Sequence, residues 1–175
     1  MRFNNLIKSI AVLVGFISLF NCKEKKTEID SNPVTYEEIN ITSKDIEGIK
    51  YTDYALSNLS EKQIENWLQF QELNSQIEIL KKGDLSFFND ETELLTTFIK
   101  ELKEEIPEKL NTPSIQARIS VLETCFFKLE GIKDLKNLDK KTILSFIKEV
   151  LISHSNLILQ INKKLEQESQ KIEKP

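Results

Sequence analysis

Apolar residues recur every three or four positions over most of the chain beyond residue 60, which is the spacing of amphipathic helices. The pattern predicts four helical segments separated by short breaks. The first begins at Ser60, which forms a capping-box pattern with Gln63, and it runs up to Gly83. The second begins near residues 89–91, which carry acidic side chains, and it ends at Pro107.

The third and fourth segments carry clearer signals at their ends. Thr112 and Pro113 fit the N-cap and first position of the third helix, and Gly131 fits its C-terminal end. The fourth begins near Asp139 and continues for about 30 residues at helical spacing. Its stripe has the alternating steps of three and four that are typical of a heptad pattern. The stripe consists of Leu144, Ile147, Leu151, His154, Ile158, Ile161 and Leu165.

Four amphipathic helices predict an all-α fold, arranged as an antiparallel up-down-up-down four-helix bundle over residues 59–175. The composition agrees, because four Gly and four Pro are too few for a turn-rich β protein. Residues 36–58, here called the strap, fit a short helix or a partly extended segment packed over one end of the bundle. Residues 22–35 are charged and polar, which predicts a disordered tether.

The first 22 residues have a different pattern from the rest of the chain. An uncharged, mostly apolar run from Ser9 to Phe20 follows the positive charges of Arg2 and Lys8, and Cys22 stands just behind it. A membrane-spanning helix needs about 20 apolar residues, so this run of roughly a dozen is too short to span. A secretory signal peptide and a buried N-terminal helix are the alternatives.

The quartet Leu19-Phe20-Asn21-Cys22 resembles the lipobox of bacterial lipoprotein signal peptides. Leu19 and Cys22 match that pattern, whereas Phe20 and Asn21 are larger than the residues usual at those places. The resemblance implies that residues 1–21 are removed and that Cys22 receives fatty acyl chains such as palmitate. Lys23, rather than Asp, follows the cysteine, which by the same resemblance implies the outer membrane, at either its periplasmic or its surface face.

The net charge and the cysteine content limit which binding partners and which disulfide bonds are expected. The formal net charge is −4, and it is −6 without Arg2 and Lys8, with both signs mixed along the chain. Nucleic acid binding requires a clustered basic face, so nucleic acid is not an expected partner. With Cys22 acylated, Cys125 is left without an intramolecular disulfide partner.

His154 and Cys125 are the two candidate site residues within the predicted bundle. His154, the only histidine, is either a ligand or proton carrier, or a core imidazole bonded to a backbone carbonyl or to Ser153 or Ser155. Cys125 is either a small buried hydrophobe or, together with His154, half of a site for a soft metal. As a metal site this pair is weak, because two ligands are too few.

No cofactor is expected from the motifs. A c-type haem would need a Cys-x-x-Cys-His motif, and a His/Met haem would need a methionine other than Met1. A di-iron bundle would need Glu-x-x-His motifs on two helices, and the sequence contains no such motif. With one histidine on an apolar stripe and no nucleophile beside a base, the chain is not expected to be an enzyme.

Several aromatic side chains cannot all face one narrow stripe, so we expect the strap to cover those that lie off it. Any ring left uncovered would form an apolar groove for a partner. The six concerned are Trp67, Phe70, Phe87, Phe88, Phe126 and Phe127.

Residues 84–124 are similar to small helical bacterial lipoproteins, which implies a fold and a location rather than an activity. The sequence therefore predicts a lipid-anchored, non-catalytic envelope protein that acts as an interaction or scaffolding module. Its partners would be the membrane, through acylated Cys22, and another envelope protein. The alternative is a small-ligand or metal-handling module that uses the bundle core near His154 and Cys125.

Overall fold

The computed structural model describes residues 40–135 and 138–170, and these residues form seven α-helices and two 3-10 turns. No β-strand occurs in these ranges, so the prediction of an all-α fold is confirmed. The predicted signal peptide, the tether and Cys22 lie outside the described residues. The helices are α1 (Ser43–Glu47), α2 (Asn58–Ile64), α3 (Leu68–Lys81), α4 (Ser86–Asn89), α5 (Thr92–Glu104), α6 (Pro113–Glu130) and α7 (Lys140–Ser169).

The four longer helices α3, α5, α6 and α7 bury their apolar stripes in one shared core. Each stripe repeats at helical spacing, as Phe70, Leu73, Ile77 and Leu80 do along α3. Complete burial of such a side chain contributes about 1.5–3 kcal/mol, so packing outweighs the intrinsic helix preference of any one segment.

The predicted ends of the third and fourth segments are confirmed. The Thr112 side chain accepts a hydrogen bond from the Ile115 backbone N–H, Pro113 follows, and Gly131 caps the end of α6. The Asp139 carboxylate accepts from the Thr142 backbone N–H at 2.6 Å and caps the start of α7. These caps satisfy donors that would otherwise lack a partner in the first turn, which is why they are readable from local sequence.

The first predicted segment is corrected, because it forms two helices rather than one beginning at Ser60. Ser57 is the N-cap of α2, and α2 ends at Ile64. The chain then leaves helical geometry before Trp67, whose φ of −92° and ψ of 81° are not helical. The Trp67 indole is fully buried, stacks on Phe70 and donates Nε1–H to the Leu102 carbonyl at 3.2 Å. At this break the large ring is buried together with a partner for its N–H, as buried tryptophans usually are.

The predicted start of the second segment agrees with the structure, since Glu91 is the N-cap of α5 and α5 begins at Thr92. Phe88, which precedes this segment, belongs to the separate short helix α4. The rings of Phe87, Phe88, Phe98 and Phe126 lie edge to face, with centroids 5.1–6.1 Å apart. The extra turn of α4 thus directs two adjacent phenylalanines towards α5 and α6.

None of the six aromatic side chains is exposed. Trp67, Phe70, Phe88 and Phe126 are fully buried or nearly so, and Phe87 and Phe127 are half-buried against the core. The aromatic residues therefore leave no apolar groove within the described ranges.

The described part of the strap, residues 40–58, runs along α7. It begins with α1, which has a capping box of Thr42 and Asp45, and then continues without regular structure from residue 49 to residue 57. At one end of the strap, Asp45 pairs with Lys140 at the start of α7 at 2.7 Å. At the other end, the Ser57 backbone N–H bonds Asn162, which lies more than twenty residues further along α7.

Gly83 fixes where the strap meets the end of α3. Its φ is +92°, a conformation that side chains rarely adopt, and a Cβ there would lie 2.6 Å from the Ile41 carbonyl oxygen. The glycine therefore permits both the turn after α3 and the close approach of the strap.

We expect Trp67→Ala to reduce the free energy of unfolding by about 3–5 kcal/mol, because it leaves a large cavity and removes the donor to Leu102. The neighbouring Leu68→Ala is the matched control, since Leu68 is 68% exposed, and it should cost less than about 0.5 kcal/mol. Urea unfolding of the purified variants measures both. Equal losses would contradict a stabilising role for the buried indole.

Candidate functional site

Three consecutive polar residues are buried in the middle of α7. Ser153, His154 and Ser155 are 3%, 6% and 1% exposed. Successive residues of an α-helix point about 100° apart, so three in a row cannot face one neighbour. This part of α7 must therefore have protein on several sides.

Each of the three side chains meets a different element. Ser153 Oγ donates to the Val150 carbonyl at 2.8 Å and lies against Cys125 of α6. His154 Nε2 lies 2.8 Å from Asn74 Oδ1 of α3. Ser155 Oγ donates to the Thr52 carbonyl of the strap at 2.6 Å. Ser155 Oγ also accepts a hydrogen bond from the backbone N–H of Tyr54 in the strap at 2.9 Å.

The predicted hydrogen-bond partners of His154 are corrected. The imidazole is buried in the core, as one of the two interpretations proposed, but its partner is Asn74 of another helix. Both neighbouring serine hydroxyls donate elsewhere, Ser153 to its own helix and Ser155 to the strap. No local sequence pattern links positions 74 and 154, so only the fold reveals this pair.

His154 is neutral at pH 7. The pKa of its imidazole is lowered to about 4, mainly by burial and secondarily by the positive charge of Lys81, while Asp53 and Glu78 act in the opposite direction. With Asn74 Oδ1 as the acceptor, Nε2 carries the ring proton and Nδ1 presents a lone pair.

An open cleft of about 310 Å³ lies beside His154. Its walls come from the strap, α2, α3 and α7, which are far apart in sequence. The lining residues are Asp53, Tyr54, Ala55, Leu56, Glu61, Asn74, Glu78, Lys81, His154 and Ile158. Of these ten, the sequence alone indicated only His154 as a site candidate.

Lys81 ties the strap to α3 at one wall of the cleft. Its Nζ lies 2.8 Å from Asp53 Oδ2 of the strap and 2.8 Å from Glu78 Oε1 of α3. Partial burial opposes the charged form of Lys81, yet these two bonds raise its pKa above the usual value. With Glu61 included, the cleft has three carboxylates and one ammonium, so its formal charge is −2 with neutral His154.

Cys125 belongs to a different part of the core. It is 8% exposed, and burial raises the pKa of its thiol, an effect that the Ser153 hydrogen bond partly offsets. Cys125 does not line the cleft, whereas His154 does. Over residues 40–135 and 138–170, no group of three or more His, Cys, Asp or Glu side chains is placed to hold a metal ion.

A second polar contact along α7 was also invisible in the sequence. Asn162 Oδ1 accepts from the Ser57 backbone N–H at 2.9 Å and from Ser60 Oγ at 2.7 Å, and its Nδ2 donates to the Ala55 carbonyl at 2.8 Å. The only sequence signal was the presence of polar residues next to the apolar stripe of α7, and such residues are usually solvated.

By length and composition, α7 is the one described helix that could cross a membrane. Core helices of soluble proteins meet the same criterion, and eleven residues of α7 are buried within this fold. It contacts α6 through the Lys128–Glu149 pair, α3 through Asn74 and the strap through Thr52.

No protein family, curated protein or solved structure matches this chain.

We expect the free energy of unfolding to decrease as the pH is lowered, because His154 becomes protonated more readily in the unfolded chain. The pKa of its imidazole is about 4 in the folded protein, against an ordinary value of 6.5, so the unfolded chain binds the proton more tightly. The stabilisation is complete above about pH 6.5 and is lost as pH falls towards 4, amounting to about 3 kcal/mol.

His154→Gln supplies the control, because glutamine retains an amide for Asn74 but does not titrate. Denaturant unfolding at pH 7 and pH 4 should show a loss for the wild type that exceeds that of the variant by about 3 kcal/mol. Identical losses in the two proteins would contradict a neutral, buried His154.

Proposed function

We propose that this chain is a lipid-anchored, non-catalytic envelope protein whose helical domain is a binding module. The polar cleft beside His154 carries this proposal, because it places hydrogen-bonding groups, charges and apolar surface within reach of one small group. The lipobox-like quartet ending at Cys22 supports the anchor. Attachment to the outer membrane through acylated Cys22 is part of the same proposal.

We further propose that α3, α5, α6 and α7 form an antiparallel up-down-up-down bundle. Three contacts between helices support it. Gln69 near the start of α3 bonds Glu101 near the end of α5, and Thr92 at the start of α5 bonds Glu130 at the end of α6. Lys128, also near the end of α6, pairs with Glu149 in the first half of α7. Contacts between the start of one helix and the end of the next are those of antiparallel neighbours.

A binding role fits the electrostatics of the candidate residues better than catalysis. An imidazole with a pKa of about 4 is a weak general base near neutral pH, and its Nε2 is bonded to Asn74. The Cys125 thiol has a raised pKa, which disfavours the reactive thiolate.

Two versions of the binding module differ in what enters the cleft. As an interaction module, the protein would take a side chain of another envelope protein there. As a ligand module, it would take a free small molecule. The cleft supports both, whereas metal handling by His154 and Cys125 together has less support, because Cys125 does not line the cleft.

We expect Cys22→Ser to abolish incorporation of labelled palmitate and to release the protein from the membrane fraction. Each buried CH₂ of an acyl chain contributes about 0.8 kcal/mol to membrane affinity, so two or more chains hold a protein firmly. Cys125→Ser removes the other cysteine and should leave labelling and fractionation unchanged. An unlabelled, soluble wild-type protein would contradict the anchor.

We expect a photo-crosslinking residue at Tyr54 to capture a defined envelope protein in intact membranes. Tyr54 lines the cleft and is 38% exposed. The matched control is the same residue at Val121 of α6, which is 49% exposed and does not line the cleft. Illumination followed by mass spectrometry should identify one adduct specific to Tyr54. Adducts only at Val121 would remove the cleft as the interaction site, and no adduct at either position would disfavour the interaction version.

A further inference from the structure

The hydrogen-bonding groups of the cleft are unequally divided between acceptors and donors. Three carboxylates, those of Asp53, Glu61 and Glu78, line it together with a single ammonium, that of Lys81. Lys81 lies between Asp53 and Glu78 and balances only one of the three negative charges. A group that enters the cleft therefore meets an excess of negative charge.

The ring of His154 adds an independent observation. It is 6% exposed, and its one hydrogen bond to the described residues joins Nε2 to Asn74. No buried side-chain nitrogen or oxygen in the described ranges lacks a hydrogen-bond partner, so Nδ1 must keep an accessible edge. His154 lines the cleft. With the proton on Nε2, its Nδ1 is left as an acceptor that has no hydrogen-bond partner among the described residues.

A metal ion does not fit this arrangement. The described residues contain no group of three or more potential ligands, and the ammonium of Lys81 already occupies the space between Asp53 and Glu78. An organic cation differs, because it offers several directional N–H donors and needs no complete coordination sphere.

The remaining lining suits the stem of such a cation. Leu56 and Ile158 are apolar, and Tyr54 provides an aromatic side chain of the kind that attracts cations. A volume of about 310 Å³ is at the lower end for ligand sites, which suits a short aminoalkyl or guanidinoalkyl group.

We propose that the cleft binds an alkylammonium or alkylguanidinium group. One N–H of that group donates to Nδ1 of His154, its charge lies against Glu78 and Glu61, and its stem packs on Ile158. The group belongs either to a free amine or to a lysine or arginine side chain of a partner. This inference rests on the cleft being the binding site, as proposed above.

The experiment titrates the isotope-labelled, lipidated full-length protein in detergent micelles with four probes. Agmatine and cadaverine represent free amines, a capped Ala-Arg-Ala tripeptide represents a basic side chain, and glutarate is the anion of matched size. We expect the cations, and not glutarate, to shift the amide signals of residues 53–56 and the Nδ1 signal of His154. Raising NaCl from 50 to 500 mM should weaken binding several-fold, since exposed charges are screened.

Glu78→Gln and Glu61→Gln test the position of the bound cation. Each should weaken cation binding about two- to fivefold, since exposed charge pairs contribute about 0.2–1 kcal/mol, and should leave the fold intact, since both side chains are exposed. Glu72→Gln is the matched control on α3, because Glu72 is exposed and does not line the cleft, and it should bind like the wild type. Preference for the tripeptide over the two amines would assign a partner's basic side chain, and the reverse would assign a free amine.

Four results would overturn the inference: glutarate binding as well as the cations, no probe binding, Zn²⁺ shifting the His154 signals, or unchanged affinity in both cleft variants. A Tyr54 crosslink to an envelope protein together with any of these would leave the proposed function standing and remove only the cationic ligand. An Nδ1–H tautomer in the long-range ¹H–¹⁵N spectrum of His154 would also overturn it, because Nδ1 would then be a donor.

Discussion

Ser153, His154 and Ser155 follow one another on α7 at rotations of about 100°, and all three are buried. A buried polar group without a partner costs about 1–3 kcal/mol, so each of these side chains requires a hydrogen bond. Ser153 finds it on its own helix, His154 on α3 and Ser155 on the strap. The positions of α3 and the strap around α7 therefore depend on satisfying this short polar run.

The same requirement creates the cleft. Ser155 and Asn162 hold the strap to α7 by its backbone, and Lys81 holds it to α3 through Asp53, so the strap follows a polar path instead of filling the space beside His154. The strap also continues the segment that we expect to be the membrane tether. Under the proposed function, the strap follows the expected tether in the sequence and also supplies residues that line the cleft.

Much of the helical structure could be predicted because its causes are local. The start of α6 depends on Thr112 and Pro113, and the start of α7 on Asp139, each acting within one turn. The prediction was wrong where a distant residue decides the outcome. Trp67 leaves helical geometry where its indole donates to Leu102 of α5. Ser60 lies inside α2, where its hydroxyl bonds Asn162 of α7, because Ser57 caps the helix three residues earlier. Capping preferences and periodicity contain no information about such partners.

The sequence by itself determined an all-α fold and the starts of its two longest helices, because each depends on neighbouring residues. The lipobox-like quartet stays a prediction. The sequence also singled out His154, since the lone histidine stands on an apolar stripe. Only the tertiary structure decided that Asn74 is its partner and that it lines a cleft together with Glu61 and Glu78. Those residues come together through the packing of the strap, α2 and α3 around α7, and contacts over such separations are set by burial and hydrogen bonding across the whole core.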